Sequence, residues 1–185
     1  MKIIGITGTL GAGKGTIVDY LITQHHYMHF SVRGYLIKLL TQKGLEINRD
    51  TMVETANNLR AIHGPSFIAE ELFKEACLSG QNCIIESIRT LGEVNALRLK
   101  GNFKLIAVDA NRELRYQRIT ERASETDKVS YQTFVDNEER EMDSTDPNKQ
   151  NIGACMALAD IKFSNDRSLI DLYKDIDLAF EKFDD

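Results

Sequence analysis

Lys2-Ile3-Ile4-Gly5-Ile6-Thr7-Gly8-Thr9-Leu10-Gly11-Ala12-Gly13-Lys14-Gly15-Thr16 is the stretch on which the fold turns. Residues 2–7 form a short apolar run of the kind expected for a buried strand. Ile17, Val18, Leu21 and Ile22 then recur at helical spacing over 14–24. Between the two, Gly8, Gly11, Gly13 and Gly15 lack β-carbons, so the backbone can wrap closely and turn its N–H groups inward. The N-terminus of the following helix adds free donors and a partial positive charge. Lys14 can reach the outer phosphates of a nucleotide, and the Thr16 hydroxyl can bind phosphate or Mg²⁺. Strand, glycine-rich turn and helix in this order make a phosphate-binding loop. Gly8, Gly11, Ala12, Gly13, Lys14, Gly15 and Thr16 are its candidate cofactor-binding residues.

Outward from this loop, periods of two and 3.6 alternate along the chain. Strands are expected at 27–31, 83–85 with Glu86 at the end, 103–109 and 159–163. Helices are expected at 33–43, 51–63, 66–78, 91–100, 113–122, 130–142 and 169–183. Residues 123–128 are polar and expected to be mobile, and 143–151 read as a loop. Strands alternating with helices imply βαβ units and a parallel sheet covered on both faces, an α/β fold.

The chain has 185 residues, the size of one compact domain. Its net charge of −5 disfavours general nucleic-acid binding, so any anion site must be a local concentration of basic groups. No apolar run reaches the roughly 18 residues that a membrane helix needs, and the beginning lacks the apolar region of a secretory signal. Cys77, Cys83 and Cys155 sit in apolar contexts without metal-ligand spacing, and read as reduced core thiols of a cytoplasmic protein. His25, His26, His29 and His63 show no ligand spacing and read as structural or exposed. No Ser/His/Asp nucleophile arrangement is evident.

The strict pattern G-x-x-x-x-G-K-[ST] fails because Gly15 follows Lys14. The longer form G-x-x-G-x-G-K-G-T fits and resembles the loop of adenylate kinase and related nucleoside monophosphate kinases. Cys83-Ile84-Ile85-Glu86 resembles the second nucleotide motif of that family, in which a carboxylate at a strand end holds Mg²⁺. Glu86-Ser87-Ile88-Arg89 resembles a shortened D-G-F-P-R segment, with Glu for Asp, Ser for Gly and no Pro; there the arginine grips the acceptor phosphate. Arg115, Arg118 and Arg122 share one helical face. Arg118 and Arg122 resemble the arginines of the family's lid, and Arg140 falls on its returning side. Ser31-Val32-Arg33-Gly34-Tyr35 keeps only the serine of an S-T-G-D-x-x-R-like acceptor segment, which leaves Ser31, Arg33 and Arg60 as candidate acceptor-binding residues. Ala159-Asp160 and Ser164-Asn165 resemble the A-D-x-x-x-x-N ending of dephospho-coenzyme A kinases, in which the loop after the last strand holds the adenine through backbone groups, which places Asn165 and Asp166 near the base.

The resemblance implies a three-layer α/β/α P-loop nucleotide-kinase fold with a central, mostly parallel five-stranded sheet. It implies one domain over 1–185, with an acceptor-binding insert at about 32–66 and a lid at about 120–142. The implied activity is transfer of the ATP γ-phosphate, with Mg²⁺, to a (deoxy)nucleoside monophosphate. Dephospho-coenzyme A is the alternative acceptor, and a nucleotide-binding sensor or ATPase the further alternative. A GTPase switch is disfavoured because Asn148-Lys149-Gln150-Asn151 lacks the final Asp of N-K-x-D. Lys14, Arg89, Arg118, Arg122 and Arg140 are the implied catalytic groups, and Thr16 and Glu86 the implied metal ligands. The partner is a small nucleotide, with neither nucleic acid nor membrane, for a cytoplasmic monomer or small homo-oligomer.

Overall fold

A computed structural model describes residues 1–122 and 129–181. The elements run β1 (Ile3–Gly8), α1 (Lys14–His25), β2 (Met28–Ser31), α2 (Val32–Gln42), α3 (Arg49–His63), α4 (Phe67–Ser79) and β3 (Cys83–Glu86). They continue as α5 (Leu91–Arg98), β4 (Phe103–Asp109), α6 (Arg112–Arg122), α7 (Tyr131–Met142), α8 (Ile152–Ala157), β5 (Ile161–Ser164) and α9 (Leu169–Glu181). The strands form one sheet in the order β2-β3-β1-β4-β5, and every neighbouring pair is parallel. The sheet expected to be mostly parallel is wholly so.

All six residues of β1 are buried, as the central strand of a sheet covered on both faces requires. Because side chains alternate across a strand, Ile3, Cys83, Ile85, Phe103 and Leu105 enter one core. Ile4, Ile6, Ile84, Ile106 and Val108 enter the other. The first core is closed by α2, α3, α4, α5 and α8, and the second by α1 and α9. Each buried isoleucine or leucine contributes roughly 1.5–3 kcal/mol relative to exposure. On the second face, Tyr20 of α1 stacks on Tyr173 of α9 with ring centroids 4.1 Å apart.

Parallel register brings Ile6 opposite both Glu86 and Ile106. The carboxyl ends of β1, β3 and β4 therefore meet at one edge, where β1 has neighbours reached by crossovers in opposite directions. Ligands of open α/β sheets bind at such a switch point.

Several local expectations shift. The short helix α8 lies in a stretch with no expected element. The last strand begins at Ile161 rather than 159, because the Ala159 N–H donates to the Met156 carbonyl and the Asp160 carboxylate accepts the Leu105 N–H. Cys77 is exposed, whereas Cys83 and Cys155 are buried, and burial pushes their thiols up to about 11 and about 12. The expected mobile stretch 123–128 and the end of the helix expected over 169–183 lie outside the described residues. Among the described residues, no helix is long and apolar enough to cross a membrane.

Candidate active site

The loop between β1 and α1 depends on glycine where the backbone turns left-handed. Gly13 has φ 101°, and a β-carbon there would lie 2.3 Å from the Asn165 amide nitrogen. Gly8 has φ 141°, and a β-carbon there would lie 2.0 Å from the Val108 carbonyl oxygen. The Lys14 ammonium donates to the Gly8 and Thr9 carbonyls at 2.9 and 2.8 Å, which curls the loop around its own lysine. Ile17 donates back to Gly13. The N–H groups of Lys14, Gly15 and Thr16 thus begin a helix, where no intrahelical acceptor exists.

Two side chains brace this loop from behind. Asn165 Nδ2 donates to the Ala12 carbonyl at 2.9 Å. Arg115, almost fully buried, donates to the Leu10 carbonyl at 3.2 Å and holds Glu138 of α7 through two bonds of 2.8 and 2.9 Å.

In front of the loop opens a cavity of about 700 Å³. Gly11, Gly13, Lys14, Gly15 and Thr16 form one end of it. Val32, Leu36, Met52, Val53 and Ala56 of α2 and α3 supply an apolar wall. Six arginines also line it: Arg33, Arg49, Arg60, Arg89, Arg118 and Arg122. Asp19, Glu86, Ser87, Glu141 and Gln150 complete the polar lining. Such a hollow concentrates positive charge in a chain that is acidic as a whole.

The charges are closely interlocked. Glu141 accepts from Arg49 Nη2 through one carboxylate oxygen and from Arg89 Nη1 through the other, both at 2.6 Å. The same Arg89 nitrogen also reaches Gln150 Oε1 at 2.6 Å. The Arg89 backbone is held too: its N–H donates to Glu93 at 2.7 Å, and its carbonyl accepts from Asn151 at 2.8 Å. Burial works against a charged Glu141, but Arg89 and Arg49 outweigh it and hold the carboxyl below the usual range. Burial likewise works against a charged Glu86, and its bond to His29 at 3.1 Å, with Lys14 and Arg89 nearby, brings that carboxyl below the usual range. For Lys14 the charged form is the one disfavoured. Burial, assisted by repulsion from Arg89, brings its ammonium down to about 7.

Of the residues expected from sequence, the cavity gathers Gly11, Gly13, Lys14, Gly15, Thr16, Arg33, Arg60, Glu86, Arg89, Arg118 and Arg122. Arg60 reaches it at the end of a wholly buried ion pair. Its Nε and Nη2 hold Glu93 Oε1 at 3.2 and 2.9 Å, while Nη1 is buried without a hydrogen-bond partner among the described residues. Arg118 donates through Nη2 to the Asn165 carbonyl, and its Nη1 is also buried without a partner among the described residues.

Gly8 and Ala12 shape the loop without lining the cavity. Two expectations require correction. Ser31 does not line the cavity but caps α2, its hydroxyl accepting from Gly34 N–H at 3.2 Å. Arg140 is half-exposed and pairs with Asp50 at 3.3 Å outside the cavity; the helix turns about 100° per residue, so α7 delivers its neighbour Glu141 instead. The Asn165 side-chain amide donates to the Ala12 carbonyl and so braces the loop.

Sequence reasoning missed Arg49, Glu141 and Gln150. Phe134, Glu138 and Glu141 stand at i, i+4 and i+7, one face of α7, and that spacing marks two acids on a buried stripe. Arg49 carries no motif; its only local sign is its place after Asn48, which caps α3. His29, read as structural or exposed, is the partner of Glu86.

A family model described as an AAA domain (AAA_18) matches residues 4–144. A UPF0200 protein from Methanococcus maripaludis is 32% identical, the match covering 98% of this chain and 97% of the relative. Among solved structures, TT1252 from Thermus thermophilus superposes with TM-score 0.63 at 19% identity, covering 98% of this chain and 97% of the other. Shikimate kinase from Aquifex aeolicus superposes with TM-score 0.54 at 15% identity, covering 97% and 96%. The fold is that of the P-loop kinases.

Proposed function

We propose, from the premise that the chain belongs to the AAA domain family and to UPF0200, that it is an ATP-dependent phosphotransferase acting on a (deoxy)nucleoside monophosphate. The observation that carries this reading is the shared cavity. The phosphate loop with Lys14, the strand-end carboxylate Glu86 and arginines from separate segments all line one hollow with an apolar wall. Phosphoryl transfer needs little covalent chemistry from the protein; it needs positioning and neutralisation of spread charge.

In this reading the loop N–H groups and Lys14 hold the donor's outer phosphates. Arg118 and Arg122 close on the transferring group. Arg89 and Arg33 hold the acceptor phosphate, with the base against Val32, Leu36, Met52, Val53 and Ala56. The chain acts as one domain, with residues 32–66 as the acceptor insert and about 120–142 as a lid that excludes water. Its place is cytoplasmic, supported by three free thiols. The donor set at Thr16 and Glu86 fits Mg²⁺, which takes one or two protein oxygens and fills its shell with phosphate and water. When bound, Mg²⁺ neutralises charge on the β- and γ-phosphate oxygens.

A second reading, dephospho-coenzyme A as acceptor, is supported by Glu86. An ionised carboxylate in the cavity can accept the proton of an attacking hydroxyl.

A coupled assay with ATP against nucleoside monophosphates and dephospho-coenzyme A tests both. Acceptor-dependent ADP release, lost in Lys14→Ala without loss of fold, is the expected result. Slow ATP hydrolysis indifferent to every acceptor would overturn the kinase assignment in favour of a sensor.

A further inference from the structure

Arg49 and Arg89 stand forty residues apart in sequence, on α3 and on the segment after β3, yet converge on the two oxygens of Glu141 at 2.6 Å each. The Glu141 side chain is only 4% exposed. Two like charges at this range repel strongly in a partly desolvated site, and a carboxylate between them removes that repulsion and fixes both guanidinium planes. Glu141 uses one Nη nitrogen of each arginine. What remains on this wall is undersatisfied. Arg49 Nε is buried with no hydrogen-bond partner among the described residues, and so is Nη1 of the wholly buried Arg60, which lines the same cavity. Buried donors without acceptors are costly, and those of a cavity wall are satisfied by a ligand that brings oxygen.

We propose that Arg49 is an acceptor-binding residue, and that Glu141 is a positioning residue which sets Arg49 and Arg89 as the two sides of one oxyanion seat. Calling the ligand an acceptor rests on the phosphotransferase reading; the seat itself does not. Glu141 comes from α7, so a helix that touches the acceptor only through arginines decides where the acceptor's anionic group lies. The bare charge count makes a contrary prediction: removing the carboxylate's charge leaves the seat more positive and should tighten anion binding.

The test is calorimetric titration of inorganic phosphate into protein saturated with ADP, which fills the phosphate loop. The wild type is expected to bind phosphate. Arg49→Met should weaken it at least tenfold, and Arg49→Lys, which keeps the charge but not the planar fork, several-fold. Glu141→Gln should also weaken phosphate about tenfold despite its added positive charge, while ADP affinity stays within twofold in all three variants. A merely structural Glu141 would move ADP and phosphate together. Phosphate affinity unchanged in the Arg49 variants, tightened in Glu141→Gln, or absent from the wild type overturns the seat, as does a parallel loss of ADP. Should ADP itself fail to bind the wild type, the kinase reading falls alone. The seat is then read by phosphate titrated into Lys14→Ala, where adding Arg49→Met must still remove binding.

Discussion

Lys14 carries the most distinctive electrostatics of the site, because it is asked to be a cation where water is scarce and Arg89 is close. With its ammonium down to about 7, the folded chain gives up this proton far below the unfolded value of 10.5. Between those values the unfolded state binds more protons, so this group's contribution makes stability rise with pH from about 7 upward. Phosphate oxygens reverse the shift by favouring the ammonium. ADP binding at pH 7.5–8 should therefore take up close to one proton, and its affinity should fall as pH rises above 7. Calorimetry in buffers of different ionisation heat reads the uptake directly; Lys14→Ala should abolish it. A second residue-scale outcome concerns Ser87, which stands where the resembled segment has glycine and adopts φ 71°. Ser87→Gly should relieve about 1 kcal/mol of left-handed strain and raise Tm by about 2–4 °C in thermal unfolding. Residues tied to strand ends by motif spacing, such as Lys14, Glu86 and Arg89, were legible in sequence because the strand fixes where they emerge. Ser31 and Arg140 were not. A one-residue turn on a helix, or a competing backbone N–H donor, redirects a side chain without changing the motif.

Elements were legible wherever hydrophobic period and chain punctuation agreed, as in β1, β4 and α3. The six-residue α8 escaped because so short a run shows no period, and β5 slid two residues because Asp160 is drawn to Leu105 N–H. The helices around the cavity are joined by charge as well as by apolar packing, and that joining was invisible in sequence. Glu93 of α5 is the clearest case. One carboxylate oxygen takes Arg60 of α3, and the other takes the N–H groups of Arg89 and Thr90. Both side chains of the pair are fully buried. Glu93→Ala should leave an uncompensated guanidinium and two unpaired N–H groups, costing about 3–5 kcal/mol. Denaturant unfolding should show the loss as a lower midpoint, with Tm down by roughly 10 °C. Because Glu93 also holds the Arg89 backbone, acceptor affinity should fall in whatever fraction remains folded.

At the scale of the molecule, α7 is the one described helix whose buried acids touch both ends of the cavity. Glu138 holds Arg115, which donates to Leu10 in the phosphate loop. Glu141, one turn on, holds Arg49 and Arg89 on the acceptor side. A displacement of α7 therefore moves a contact behind the donor phosphates and a contact under the acceptor together. If each ligand fixes α7 in the same position, each lightens the ordering that the other requires, and linkage makes the effect equal in both directions. ADP should bind more tightly in the presence of saturating phosphate, by a factor of about 3–10, and phosphate more tightly by the same factor with ADP. Glu138→Gln, which keeps the shape but weakens the grip on Arg115, should bring that factor toward one. Each ligand's affinity measured alone should change much less. Equilibrium titrations of both ligands, alone and together, in wild type and Glu138→Gln give the four affinities needed for each protein. A coupling factor that survives intact in the variant shows that donor and acceptor communicate through the sheet edge at Glu86 and Lys14 instead of through the helix.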